Sequence, residues 1–247
     1  MDVQAALASS GVTTRTPPGN GGGRCEHCGC ETDGRFCSER CADAALARAQ
    51  RIEKARTLAD DLARDGLYPR RAQRVSFRES SAAIEQANPE AWARLRAWRP
   101  ESSLYLCGPV GTGKTFAARC ILTRAVSSLW TVAEITALDL FRLQRDFRRA
   151  EAYARLQRVR LLLLDDLDKT ADWTGARTEA LWEIANERAE ARRRTIITAN
   201  TSPARLREHI AQQSGHAGLV AAAFDRLLPL DVIEFAGASH RGRSGAR

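Results

Sequence analysis

The sequence predicts an α/β fold, a parallel sheet flanked by helices, preceded by a small cysteine-rich module and a helix. Three observations carry this prediction. Short apolar runs at residues 103–107, 160–164 and 195–199 alternate with helical segments, as strands buried on both faces of a parallel sheet do. A glycine-rich octapeptide beginning at Gly108 follows the first run directly. Five of the seven cysteines fall between Cys25 and Cys41.

The elements follow in order. Residues 1–23 end in Thr16-Pro17-Pro18-Gly19-Asn20-Gly21-Gly22-Gly23, which has no periodicity and predicts a disordered tail. Residues 24–66 form the cysteine-rich module and its helix, a unit suited to docking a partner. The segment 38–64 has no Gly or Pro, and Leu46, Ile52, Leu58 and Leu62 recur at near-helical spacing, so it reads as one long helix. Asp65-Gly66 stops it, and residues 67–80, with Tyr68-Pro69-Arg70-Arg71, read as a linker. The main domain spans 81–240. Its helices are expected at 81–98, 113–128, 138–149, 176–193, 204–211 and 219–228. Its strands are expected at 103–107, 130–135, 160–164, 195–199 and 231–235. Residues 241–247 form a basic tail.

Composition excludes some classes. With 44% hydrophobic and 28% charged residues, the 247-residue chain is globular rather than disordered. No apolar run of membrane-spanning length occurs, and the start Met1-Asp2-Val3-Gln4 lacks the character of a signal peptide, which predicts a cytoplasmic protein without a membrane partner. The net charge of +8, mostly from arginine, suits a polyanionic partner, because guanidinium pairs phosphate bidentately and releases counterions on binding.

Gly108-Pro109-Val110-Gly111-Thr112-Gly113-Lys114-Thr115 matches the phosphate-binding pattern G-x-x-x-x-G-K-[ST]. Strand Leu104-Tyr105-Leu106 before it and a helix after it supply the context that motif needs. Glycines let successive backbone N–H groups converge on an anion at the helix start, where the dipole adds positive charge. The ligand expected is a nucleoside triphosphate, ATP, with Lys114 on its β- and γ-phosphates and Thr115 on Mg²⁺. The run Leu161-Leu162-Leu163-Leu164-Asp165-Asp166 describes a central strand delivering two acids to its C-terminal edge. Asp165 is expected to hold Mg²⁺, directly or through water, and Asp166 to act as general base toward the attacking water. Asn200, closing Thr195-Ile196-Ile197-Thr198-Ala199-Asn200, would orient that water; Asn-Thr-Ser-Pro at 200–203 also makes a turn and helix cap. Arg226, at a helix end, would stabilise transition-state charge in a neighbouring subunit as an arginine finger, or pair locally with Asp225 or Glu208.

These residues give a specific resemblance. The stretch from about 74 to 241 resembles the AAA+ domain of DnaC/DnaI-type replicative helicase loaders and their IstB-like relatives. It does so through the phosphate loop, Leu161 to Asp168, Leu181-Trp-Glu-Ile-Ala-Asn-Glu-Arg188, Thr195 to Asn200 and Phe224-Asp-Arg-Leu227. The resemblance implies that Asn200 is sensor 1, Arg226 the arginine finger and Arg241 a sensor 2. His240 stands where the family usually has Tyr, and Leu167-Asp168-Lys169 replaces the commoner Ile-Gly after the paired acids. It also implies ATP-dependent self-association and handling of a hexameric replicative helicase and single-stranded DNA.

Cys25-Glu26-His27-Cys28 and Cys37-Ser38-Glu39-Arg40-Cys41 form a C-x₂-C…C-x₃-C array whose four thiolates suit tetrahedral Zn²⁺. Cys30 and His27 are alternative ligands. Phe36-Cys37-Ser38 at the start of the long helix is similar to the second knuckle of treble-clef fingers, and DnaI-like loaders also carry an N-terminal zinc module that docks on the helicase. The leading expectation is therefore a helicase loader. The alternatives are an IstB-like ATPase assisting a transposase and a zinc-finger DNA-binding regulator with a vestigial ATPase. Intact Lys114, Thr115, Asp165 and Asp166 speak against the last.

Overall fold

The computed structural model describes residues 23–67, 75–78, 82–170, 172–237 and 239. The expected tail, most of the linker and Arg241 with its basic tail lie outside these residues. The chain divides into two compact units, Met1–Lys54 and Ala55–Arg247, so the division falls inside the long helix rather than after it.

In the first unit, strands β1 (Gly23–Arg24) and β2 (Glu31–Thr32) pair antiparallel around a short turn. Helix α1 (Glu39–Arg64) starts behind Ser38, whose hydroxyl accepts a hydrogen bond from the Cys41 N–H as a helix cap does. The last turns of α1 count with the second unit. Leu62 is fully buried there, Asp65 pairs with Arg155 at 2.6 Å, and the Leu67 carbonyl accepts the Glu134 N–H. Leu67, expected to open a linker, is thus tied to the sheet.

The second unit is built on five parallel strands: β3 (Ser103–Cys107), β4 (Val132–Thr136), β5 (Leu161–Asp165), β6 (Arg194–Thr198) and β7 (Leu230–Glu234). Their order is β4-β5-β6-β3-β7, with β5 and β3 on either side of the central β6. Every residue of β3 and β5 is buried, which is why both read as unbroken apolar runs rather than alternating ones.

Strand residues nonetheless alternate between two cores. Tyr105, Leu162, Leu164 and Ile197 face one, beneath α5 (Ala137–Gln144), α6 (Ala150–Arg158), α7 (Gly175–Glu190), α8 (Pro203–Ser214) and α9 (Ala217–Arg226). Leu104, Leu106, Leu161, Leu163 and Ile196 face the other, beneath α3 (Pro89–Ala97) and α4 (Lys114–Ser127). Burying each such leucine stabilises the fold by roughly 1.5–3 kcal/mol, so losing either helical layer would expose the sheet.

Two helix expectations need correction. The helix expected at 81–98 is two, α2 (Ala82–Ala87) and α3, because Pro89 cannot donate a backbone hydrogen bond and starts a new helix behind Asn88. The helix expected at 138–149 ends at Gln144. A 3-10 turn at Phe147–Arg149, capped by the Asp146 carboxylate, then leads into α6.

Arg188 of α7 is a charge in the core. Its guanidinium donates to Thr195 Oγ1 and to the carbonyls of Leu156, Val159 and Arg194. Burial pulls its pKa well below the usual arginine range, and these oxygen acceptors replace the lost water. It clamps the ends of α6 and the starts of β5 and β6 into one corner. Among the described residues no helix is long and apolar enough to cross a membrane.

Candidate nucleotide site and thiol cluster

Loop 108–113 leaves the C-terminal end of β3 and enters α4, whose first residue is Lys114. Gly108 has φ 133, and a Cβ there would collide with the Phe235 carbonyl, so the close pass of the loop against the end of β7 requires glycine. Gly113, at φ 98, turns the chain into α4 without any side-chain cap. The amides of the first turn, with the positive end of the helix dipole, are left for an anion. This is the cradle a triphosphate needs.

Lys114 is 6% exposed. Its ammonium is folded back on the Gly108 carbonyl at 2.6 Å, the Pro109 carbonyl at 2.7 Å and Asn200 Oδ1 at 3.2 Å. Burial draws its pKa down, and the nearby carboxylates, led by Asp168, oppose that shift. A phosphate offers this cation stronger acceptors than three neutral oxygens.

Sheet register aligns the acids. One carboxylate oxygen of Asp165 accepts from Thr115 Oγ1 at 2.9 Å and from Thr198 Oγ1 at 2.5 Å, which joins the loop, β5 and β6 at one point. Hydroxyl and carboxylate oxygens brought this close are the hard donors that Mg²⁺ prefers. Asp166 sits in the left-handed region at φ 55, its N–H donates to Thr198 Oγ1, and its carboxylate accepts from Lys169 Nζ at 2.6 Å. Asn200 is held from both ends, its N–H by the Asp168 carboxylate at 2.8 Å and its amide oxygen by Lys114.

Arg226 ends α9 on the surface, and among the described residues it pairs with neither Asp225 nor Glu208. Glu208 instead accepts from Gln212. The guanidinium is open to solvent.

Comparison with known proteins can now be made. The IstB-like ATP binding protein family matches residues 37–246. The chain belongs to that family. An insertion sequence IS21-like candidate ATP-binding protein of Bacteroides fragilis is 32% identical over 146 residues, covering 56% of this chain. The chain spans about half the length of that curated relative, 52%. The fold is shared with a solved DnaI at TM-score 0.55 and 23% identity, over 70% of this chain and 94% of that one. A candidate primosome component of Streptococcus pyogenes serotype M3 gives TM-score 0.53 and 19% identity, covering 70% and 92%. The family and the loop geometry agree on ATP as the ligand of this site.

In the first unit the Cys25, Cys28, Cys30 and Cys37 sulfurs lie within 4.8 Å of one another, a group able to hold a metal ion. Cys30 therefore enters where Cys41 was expected, because the β1–β2 pairing brings Cys30 back to Cys25, whose N–H donates to its carbonyl at 2.8 Å. Cys41 stays close, 3.4 Å from the Cys37 sulfur, and His27 is not in the group. Hydrogen bonding from the Cys28 N–H holds the Cys25 thiol down to about 5, while hydrogen bonding to Cys30 pushes Cys37 up to about 11. Crowded sulfurs cannot all ionise by themselves, and a bound dication removes that conflict.

Sequence reading missed Thr198, Lys169 and the part played by Asp168. Thr198 was visible only as a strand residue, and its value comes from standing beside Asp165 across the β5–β6 pair. Asp168 was noted only as a departure from the family, yet it anchors Asn200 through one oxygen and leaves the other buried without a partner among the described residues. Removing it should release Asn200. Asp168→Ala is expected to bind a fluorescent ATP analogue nearly as wild type does and to release phosphate on the order of tenfold to hundredfold more slowly. Lys114→Ala should lose analogue binding itself. Wild-type turnover in Asp168→Ala would show that Asn200 needs no such anchor.

Proposed function

We propose that this ATPase loads a hexameric replicative helicase onto single-stranded DNA, gripping the helicase with its thiol module. The observation that carries the reading is the pairing of a nucleotide site with a separate metal-fit module in one chain. ATP would switch the second unit, and the module would supply the grip. The fold shared with DnaI and a primosome component, together with a net charge of +8, supports it.

In this reading Thr115 and Asp165 hold Mg²⁺, which neutralises charge on the phosphates when bound. Lys114 leaves the Gly108 and Pro109 carbonyls for phosphate oxygens. Asp166 takes the proton of the attacking water, which requires Lys169 to release it. Asn200 orients that water. Arg226, exposed and without an ion-pair partner among the described residues, acts on a neighbouring subunit's phosphates, so that subunits associate through ATP. In this reading the first unit, through about residue 54, docks the partner, and the second unit carries the nucleotide site.

The thiol module is proposed to bind one Zn²⁺ through Cys25, Cys28 and Cys37, with Cys30 or Cys41 as fourth ligand. Anaerobically purified protein should hold about one zinc per chain. Cys37→Ser should lose it while ATP binding persists, since the nucleotide site lies wholly in the other unit. Metal analysis that finds no zinc would contradict this assignment.

A second reading, assistance to a transposase, is favoured by the 32% identity to an IS21-like protein. One reconstitution separates the two. Host replicative helicase, circular single-stranded DNA coated with its binding protein, and ATP should yield unwinding only when this chain is added. Arg226→Ala and Lys114→Ala chains should each fail, Arg226→Ala by about 10³-fold in hydrolysis if the finger carries full weight. Mixed, they should recover part of the activity, because the Lys114 variant lends its finger to an intact loop. Unwinding that ignores this chain, with ATP turnover stimulated instead by an IS21-type transposase, would move the assignment to transposition.

A further inference from the structure

The nucleotide site occupies the C-terminal edge of the sheet, and the opposite edge carries an uncompensated positive charge. Arg160 immediately precedes β5, Arg194 opens β6, and Arg99 lies just ahead of β3. The chain ties these strand starts together. The Arg194 N–H donates to the Arg160 carbonyl at 3.2 Å, and Arg194 Nε reaches the Pro100 carbonyl at 3.3 Å. Arg192 and Arg193 complete the band from the turn before β6, and Arg124 joins it from α4.

Among the described residues, none of Arg99, Arg124, Arg160, Arg192, Arg193 and Arg194 has a carboxylate within ion-pair distance. Their partners are neutral. Arg124 donates to the carbonyls of Arg96 and Trp98, Arg99 to those of Ala97 and Trp98, and Arg193 to that of Gln157. Arg160 lies 3.7 Å from the centre of the Trp130 ring. Carbonyls and an indole face orient a guanidinium without cancelling its charge, and each guanidinium has N–H groups to spare. Between Arg99, Arg124, Trp98 and Trp130 opens a cleft of about 350 Å³. The acids nearest the band along the chain, Glu101, Glu187, Glu190 and Asp231, are fewer than its six arginines, so the edge stays net positive.

We propose that this arginine band and its tryptophan-lined cleft, at the strand-start edge of the sheet, bind the phosphodiester backbone of nucleic acid. Pre-oriented guanidiniums match phosphate bidentately, and the Trp130 ring holds the Arg160 guanidinium in place for such a contact. A five-residue strand separates this edge from the phosphate loop by about 16 Å, so ATP and nucleic acid can be held at once. The site gives the DNA of the proposed function a place on the protein, and in that respect rests on that reading.

The test is anisotropy of labelled single-stranded and duplex oligonucleotides, titrated with full-length protein over a series of salt concentrations. Among the described residues the Arg160 and Arg192 side chains have no hydrogen-bond partner, so Arg160→Ala/Arg192→Ala should fold and bind the ATP analogue normally. Its affinity for the preferred strand form should fall on the order of tenfold, and its log–log salt slope should shrink by about 1.4 for single strands or about 1.8 for duplex. Arg160→Lys/Arg192→Lys, which keeps the charge, should keep the slope. The charge-matched control Arg205→Ala/Arg207→Ala, on exposed positions of α8, should change affinity far less. An equal loss in that control, or no loss in the Arg160/Arg192 pair on either strand form, overturns the site while leaving DNA binding in place. Wild-type protein that binds neither oligonucleotide removes DNA from the proposed function as well.

Discussion

One oxygen of Asp165 receives two hydroxyls, from Thr115 on the loop helix and from Thr198 on the neighbouring strand. That shared acceptor fixes the distance between β5, β6 and the start of α4, and every other feature of the nucleotide site is measured from it. Asp166 follows in a left-handed turn whose N–H also ends on Thr198. The turn brings Asp168 under Asn200, and Asn200 in turn reaches Lys114. The site is therefore a closed ring of contacts through loop, strand and strand. Within it Lys114 rests on two carbonyl oxygens and Asn200, and Lys169 on Asp166.

The same sheet presents two chemically distinct edges. Strand ends carry carboxylates and a helix N-terminus, which suit a metal–triphosphate pair. Strand starts carry arginines oriented by carbonyls and an indole. Arg188, buried beneath that second edge, spans from α6 to the starts of β5 and β6 and keeps the arginine turn against the core. Hydrophobic packing of both sheet faces makes the strands between the edges a stiff spacer rather than a flexible link.

Much of this was legible in the sequence. The four leucines before Asp165 and the Gly108–Thr115 pattern specify strand, edge and ligand together, because each rests on backbone geometry that few sequences satisfy. What was not legible depends on neighbours across the sheet. Thr198 matters only through its register with Asp165, and Asp168 only through the turn that carries it to Asn200. Pro89 splits the helix at 82–97 within a composition that is otherwise helical throughout. α6 was missed because only Ala152, Tyr153 and Leu156 of its charged sequence face inward. Spacing alone does not bring Cys30 into the cluster of sulfurs; the pairing of two short strands on either side of residues 25–30 does.

We propose that the Asp165 carboxylate, held by Thr115 and Thr198, is where Mg²⁺ would bind beside ATP. Phosphate release measured across a Mg²⁺ series, for wild type and Asp165→Asn, tests it most directly. The amide keeps an oxygen for the two hydroxyls, so the variant should melt within a few degrees of wild type, by roughly 1 kcal/mol or less. Its turnover should fall at least about 10²-fold, and its half-saturating Mg²⁺ concentration should rise on the order of tenfold. A variant that hydrolyses ATP with the wild-type Mg²⁺ dependence would place the metal elsewhere and leave Asp165 as a structural tie between two strands.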